Sequence, residues 1–178
     1  MNIVNSLSAA VLLALSINSA FATNVTGQVE VKLEVSAGCS VDGSSVNGSI
    51  NKFGDLDFGK ASASLPNVLT AEVSAAAQAS KLAVKCDGTD DVAFTVAIDG
   101  GLRGDRQLKN AADDNTIHYN VYRNAARSDE YRLNDAQQFN AKSGAATEIP
   151  IYGSIAPTEL AGKSQGTYTD TLLVSVSF

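Results

Sequence analysis

Residues 23–39 read TNVTGQVEVKLEVSAGC, and within them residues 29–35 alternate apolar and charged side chains without interruption. Alternation with a period of two is typical of a β-strand that has one apolar and one polar face. This strand pattern precedes every other strand pattern of the predicted mature chain, so its apolar face needs a partner that lies elsewhere. The identity of that partner decides what kind of fold the rest of the chain forms.

A secretory signal peptide is predicted at residues 1–22. Residues 5–17 are mostly apolar or small, and they lead into Ala20-Phe21-Ala22, which matches an A-x-A cleavage pattern. The apolar run is shorter than the roughly 20 residues that cross a bilayer. The segment before it lacks Lys and Arg, which departs from an ordinary signal peptide. We therefore expect export, no membrane insertion and a mature chain that begins at Thr23.

The bulk composition limits the partners of the chain. Its 178 residues suit one domain, and they carry a formal net charge of −6 with no run of basic residues. Such a chain is a poor candidate for binding nucleic acid or an anionic membrane surface, because both attract positive charge.

The only cysteines in the sequence are Cys39 and Cys86. An even number of cysteines in an exported chain favours one disulfide. Closing a loop of this length would stabilise the fold by roughly 4 kcal/mol in the loop-entropy description.

Strand and turn patterns fill the chain after Cys39. Alternating runs occur at residues 81–86, 92–98, 117–123, 148–155 and 167–178. The turn sequence DGTDD at 87–91 predicts a hairpin between the first two of these runs. Residues 69–82 are rich in alanine but lack a sustained apolar stripe, so we interpret them as a loop followed by a strand. These patterns predict an all-β, immunoglobulin-like β-sandwich.

Groups that could perform catalysis are scarce. His118 is the single histidine and alternates with apolar neighbours, so we expect an exposed strand residue rather than a general base. In DLDFG, Asp55 and Asp57 share one face and Leu56 and Phe58 share the other. We expect solvated acids beside a buried apolar pair rather than a Ca²⁺ site. The sequence predicts no catalytic residues, no cofactor and no metal.

The two ends of the chain are predicted to complement each other. An immunoglobulin-like sandwich needs seven strands, whereas about six follow Cys39 before the sequence stops at Phe178. A sandwich that lacks a strand has an open groove and an unpaired edge. The alternating strand at the N-terminus of another copy can fill such a groove by strand addition.

Seven stretches, in order, carry a resemblance to a known family: VTGQVEVKLEVSAGCSV, NKFGDLDFGK, LAVKCDGTDDVAFTVAIDGG, RQLKN, YNVYRNAARS, IPIYGSIAP and GTYTDTLLVSVSF. The chain resembles the major pilins of archaic, Csu-type chaperone–usher pili, which belong to the spore coat protein U domain family. The resemblance implies an incomplete immunoglobulin-like subunit (six core strands, missing the last) that a periplasmic chaperone stabilises. It further implies that an outer-membrane usher assembles copies of the chain, with minor pilins, into surface fibres for adhesion and biofilm formation.

The resemblance also assigns roles to residues. It implies a donor-strand extension at 23–36, whose inserting positions are Val25, Gly27, Val29, Val31, Leu33 and Val35, followed by a pilin domain at 37–178. It implies that Cys39 and Cys86 join the first two strands of that domain. The C-terminal strand would border the groove and contact the chaperone through Tyr168, Leu172, Val174, Val176 and Phe178, with its terminal carboxylate as the anchor.

The alternative is a secreted, self-contained β-sandwich of lectin type. In that protein residues 29–35 would be the first strand of their own core, and aromatic residues would cluster on loops at one end. The absence of Trp and the position of most Tyr residues in predicted strands disfavour this alternative.

Overall fold

The computed structural model describes residues 28–34, 38–47, 50–64, 66–76 and 81–178. The chain divides into two units, residues 1–34 and residues 35–178. In the first unit, residues 28–34 form neither helix nor strand, and all seven are exposed. The predicted signal peptide and the predicted donor positions Val25, Gly27 and Val35 lie outside the described residues.

The described part of the second unit consists of short strands with almost no helix. Its first half contains β1 (Cys39–Asp42), β2 (Ser45–Asn47), β3 (Ile50–Lys52), β4 (Gly54–Asp55), β5 (Leu69–Glu72), β6 (Ser74–Ala75), β7 (Ala83–Cys86) and β8 (Val92–Ile98). Its second half contains β9 (Gln107–Asn110), β10 (Thr116–His118), β11 (Asn120–Tyr122), β12 (Gln137–Ala141), β13 (Ala146–Glu148), β14 (Tyr152–Ile155), β15 (Tyr168–Thr169) and β16 (Val174–Ser177). The helical elements are a 3₁₀ turn at Gly101–Arg103 and the single-turn helix α1 at Pro157–Leu160. Among the described residues, no helix has the length and apolar character needed to cross a membrane.

The strands pair into antiparallel sheets around one apolar core. The sheets have the orders β1-β7-β13, β12-β8-β16, β11-β14-β5 and β10-β9-β15, with two further two-stranded pairs, β2-β3 and β4-β6. Phe94, Val96 and Ile98 of β8 contribute alternate side chains to the core, which also contains Val121 and Tyr131. This arrangement confirms the predicted all-β class and is consistent with an immunoglobulin-like β-sandwich.

The predicted hairpin between residues 81–86 and 92–98 is wrong. β7 pairs with β1 and β13, whereas β8 pairs with β12 and β16. The intervening turn is bound to a different loop, because the Asp91 carboxylate accepts hydrogen bonds from the Ser143 backbone N–H at 3.3 Å and from the Lys142 ammonium. The Ser143 hydroxyl in turn donates to the Gly88 carbonyl. The DGTDD turn therefore carries the chain from one sheet to another.

Long alternating runs are divided between sheets. Residues 117–123 span β10 and β11, and the residue between them, Tyr119, donates its backbone N–H to Arg106 at 3.0 Å instead of to a neighbouring strand. The run at 148–155 is divided at Pro150, which has no N–H to donate to a ladder. The loop-then-strand interpretation of residues 69–82 missed β5, which begins at Leu69.

The predicted disulfide is confirmed. Cys39 and Cys86 face each other in the register of β1 and β7, and their sulfur atoms are bonded. Cys86 is fully buried, so the bridge fixes edge strand β1 to the core.

Replacing both cysteines by alanine should lower the free energy of unfolding by about 2–4 kcal/mol, because the unfolded chain is no longer restrained across 47 positions. Urea denaturation of the purified subunit measures the loss. Treating the wild-type chain with a reductant is the control and should produce a loss of similar size. An unchanged midpoint in both experiments would contradict a structural role for the bridge.

Candidate functional site

The alternating N-terminal segment presents an uncovered apolar face. Val29, Val31 and Leu33 are 87%, 89% and 84% exposed, although they are the residues that a strand of this pattern would bury. The intervening charged residues Glu30 and Lys32 are exposed as well. Three alternate apolar residues at this exposure are typical of a binding surface rather than of a finished core.

The C-terminal run keeps one side turned toward the core across β15 and β16. The predicted edge residues Tyr168, Leu172, Val174 and Val176 are partly buried and pack against the core, while residues 169, 171, 173, 175 and 177 are exposed. Phe178 is more than half exposed, with its ring centroid 6.2 Å from that of Phe94.

Both C-terminal strands lie at the edges of their sheets. Within the described residues, β15 pairs only with β9, and β16 pairs only with β8. The opposite side of each strand therefore has no ladder partner there. An open strand edge is where an additional strand can form main-chain hydrogen bonds.

The segment that follows β4 also has the features of an unpaired strand. As predicted, Asp55 and Asp57 are exposed, while Leu56 and Phe58 are half-buried. Leu56 and Phe58 pack directly on β14, since a Cβ at Gly153 would lie only 2.7 Å from Phe58 Cζ and 2.9 Å from Leu56 Cδ2. Residues 56–62 pair with no strand among the described residues.

A cavity of about 820 Å³ lies between residues 56–63 and residues 163–168, and we call it the Tyr168 cavity. Buried or half-buried side chains form its floor: Leu56, Phe58, Leu69, Leu108, Ile117, Ile155, Leu160 and Tyr168. Its rim is mostly polar and includes Asp57, Lys60, Ser62, Lys163, Ser164, Gln165 and Thr167. The cavity is partly open to the surface, so it is a cleft rather than a sealed interior void. A cavity of this size over an apolar floor is therefore room for an inserted side chain.

A buried carboxylate fixes the chain between β15 and β16. The Asp170 side chain is only 2% exposed. It accepts hydrogen bonds from the Tyr119 hydroxyl at 2.7 Å, the Leu102 N–H at 3.0 Å and the Arg103 guanidinium at 3.1 Å. Asp99 restrains the same segment by accepting the Leu173 N–H at 2.8 Å. These bonds hold the C-terminal edge in place beside the cavity.

Burial sets the protonation behaviour of this region. Removal from water, followed by the hydrogen bond to Asp170, raises the pKa of Tyr119, so its hydroxyl remains the donor. Burial lowers the pKa of Arg106, whose guanidinium donates to the carbonyls of Tyr131 at 2.6 Å and Asp99 at 3.3 Å. These groups brace the fold beside the C-terminal edge.

The sequence analysis missed the Asp170 cluster, although one signal was present. Asp170 falls on the same alternating face as Tyr168 and Leu172, where a charged side chain is unexpected. His118 is exposed in β10, as predicted. Across the parts of the chain that the structure describes, no group of three His, Cys, Asp or Glu residues is arranged to hold a metal ion.

Comparison with protein families identifies the chain. The Spore Coat Protein U domain matches residues 25–175, which is most of the sequence. The chain belongs to the Spore Coat Protein U domain family. This membership confirms the family that the seven sequence stretches predicted.

Among solved structures, this family member is similar to a chaperone–tip adhesion subunit pre-assembly complex from the archaic chaperone–usher Csu pili of Acinetobacter baumannii. The sequence identity is 17% and the TM-score is 0.46, over 81% of this chain and 40% of that chain. The chain thus spans less than half of the structure it matches. No curated protein matches it.

Replacing Asp170 by Asn should cost about 1–3 kcal/mol of unfolding free energy, because Arg103 and the Leu102 N–H lose a charged acceptor in a dry site. Replacing Tyr119 by Phe removes one donor only and should cost less. Urea denaturation compares the two variants, and Asp87→Asn at an exposed position is the control. Equal losses for Asp170→Asn and Asp87→Asn would contradict this role for Asp170.

Proposed function

We propose that the chain is a structural subunit of a chaperone–usher pilus and that it polymerises by donating residues 23–36 to the next copy. One observation carries the proposal: an exposed, alternating apolar segment and an unfilled cavity beside open strand edges occur in the same molecule. In an isolated chain the apolar segment and the cavity both leave apolar surface exposed to water. Inserting the segment of one copy into the cavity of another would cover both surfaces.

The geometry of a strand supports this pairing. Alternate residues of a strand lie about 6.6–6.8 Å apart on one face. Val29, Val31 and Leu33 therefore have the same spacing as Leu172, Val174 and Val176 of the groove edge. A donor strand inserted beside the C-terminal strand would cover the partly buried side chains there. The main chain of the donor strand would pair with the open edges of β15 and β16.

The family supplies the biological setting of the proposal. A subunit with an open groove needs protection before assembly, which a periplasmic chaperone provides, and an outer-membrane usher then exchanges the chaperone for the next donor strand. The chain would pass through the periplasm to a surface fibre that also contains minor pilins. Adhesion and biofilm formation are the roles we infer for that fibre.

The self-contained binding module remains the second candidate, and two observations disfavour it. In such a module the apolar face of residues 29–33 would be buried, whereas it is 84–89% exposed. The module would also present aromatic side chains on loops, whereas all five tyrosines are buried or half-buried.

Val31→Asp or Leu33→Asp should abolish multimers while leaving the subunit bound to its chaperone. Each apolar side chain contributes roughly 1.5–3 kcal/mol when it is buried, and a carboxylate in the same place would be desolvated without a partner. The measurement is the ladder of multimers on unboiled SDS gels, together with co-purification of the chaperone.

Lys32→Asp is the matched control, because residue 32 lies on the polar face of the same segment. Multimers should survive this substitution. A normal ladder from Val31→Asp, or an equal loss from Lys32→Asp, would refute insertion of the alternating face.

A further inference from the structure

We propose that the donated strand has one preferred register, with Leu33 in the Tyr168 cavity and Glu34 beside Lys60 and Lys163 at its rim. This inference rests on the proposed function and names the residues of the accepting copy that would contact the donated strand.

Side-chain size selects Leu33 for the cavity. The other inserting positions of the predicted donor strand are valines and Gly27, so Leu33 reaches furthest from its backbone. The cavity has room for such a side chain, and Ile117, Ile155 and Leu160 form a buried apolar floor beneath it. Burying the largest donor side chain there gives the largest favourable hydrophobic free energy, because it removes the most apolar surface from water.

The rim of the cavity carries cations that have no carboxylate partner within the described residues. Lys52, Lys81, Lys109 and Lys142 all pair with carboxylates. Among the described residues of the domain, Lys60, Lys85 and Lys163 have no ion pair, and of these three Lys60 and Lys163 line the cavity. The nearby Asp57 carboxylate accepts the Gly59 N–H at 2.8 Å. In a chain of net charge −6, two such lysines at one opening favour an acidic ligand group.

Because side chains alternate along a strand, the preference of the cavity for Leu33 and the preference of its rim for an acidic group together select one register. When Leu33 points into the cavity, its neighbours Lys32 and Glu34 point away from the floor toward the rim side. A strand can slip only by two residues without turning its apolar face outward. A slip that puts Val31 in the cavity brings Lys32 to the place of Glu34, opposite Lys60 and Lys163. Like charges then repel, so Lys32 opposes the wrong register while Glu34 favours the right one.

Charge exchange in the full chain, co-produced with its chaperone, tests the register. Glu34→Lys and Lys163→Glu should each make multimers dissociate about twofold to fivefold faster at low salt, as expected for an exposed ion pair. The double variant keeps the net charge of the wild type and should dissociate more slowly than either single variant, although Lys60 still repels a lysine at position 34. The differences should shrink at high salt because exposed charges are screened. Rates are taken from the loss of the multimer ladder with time of heating.

Glu30→Lys is the matched control for charge. It makes the same change in net charge about 13 Å along an extended strand from residue 34, so its effect should be smaller. Leu33→Ala and Val31→Ala test the cavity separately, and Leu33→Ala should accelerate dissociation more.

The outcomes separate the two levels of the proposal. A wild-type chain that forms no multimers would overturn donor-strand polymerisation and the register with it. Three results would overturn the register but leave polymerisation standing. The first is equal dissociation rates for Glu34→Lys and Glu30→Lys, and the second is a double variant that dissociates faster than either single variant. The third is equal dissociation rates for Leu33→Ala and Val31→Ala.

Discussion

Burial of apolar surface that a single chain leaves uncovered is the constraint on which this structure depends. The described domain has a core of antiparallel sheets, yet the Tyr168 cavity, with a volume of about 820 Å³ and an apolar floor, lies between residues 56–63 and 163–168. Valine and leucine side chains at residues 29–33 are exposed in the same molecule. Hydrophobic burial is the main favourable term in folding and in most association, so both surfaces favour assembly with another chain.

The rest of the fold keeps the open edge in a defined position. The disulfide ties β1 to the fully buried Cys86, and Asp170 accepts three hydrogen bonds between the two C-terminal strands. An edge that was free to collapse would fill the cavity with its own side chains. Rigid support for an open groove is therefore consistent with a domain made to receive a strand.

Local patterns in the sequence predicted the all-β class, the disulfide, the inward side of Leu56 and Phe58, and the core-facing side of residues 168–176. They did not predict which strands pair, because alternation records only which face is buried. The division of residues 117–123 between two sheets depends on the backbone bond from Tyr119 to Arg106, and the DGTDD turn is held by Asp91 and residues 142–143. The cavity was also missed, since the two segments on either side of it, residues 56–63 and 163–168, are about 100 positions apart in the sequence.

The most direct test of strand donation mixes two forms of the chain, one beginning at Thr23 and one beginning at residue 37, each with its chaperone and a different tag. The shorter form has a groove but no donor strand. We predict that it makes no ladder alone and that it enters multimers of the longer form once per multimer, at one end. A ladder formed by the shorter form alone, or multimers that never contain it, would contradict the account.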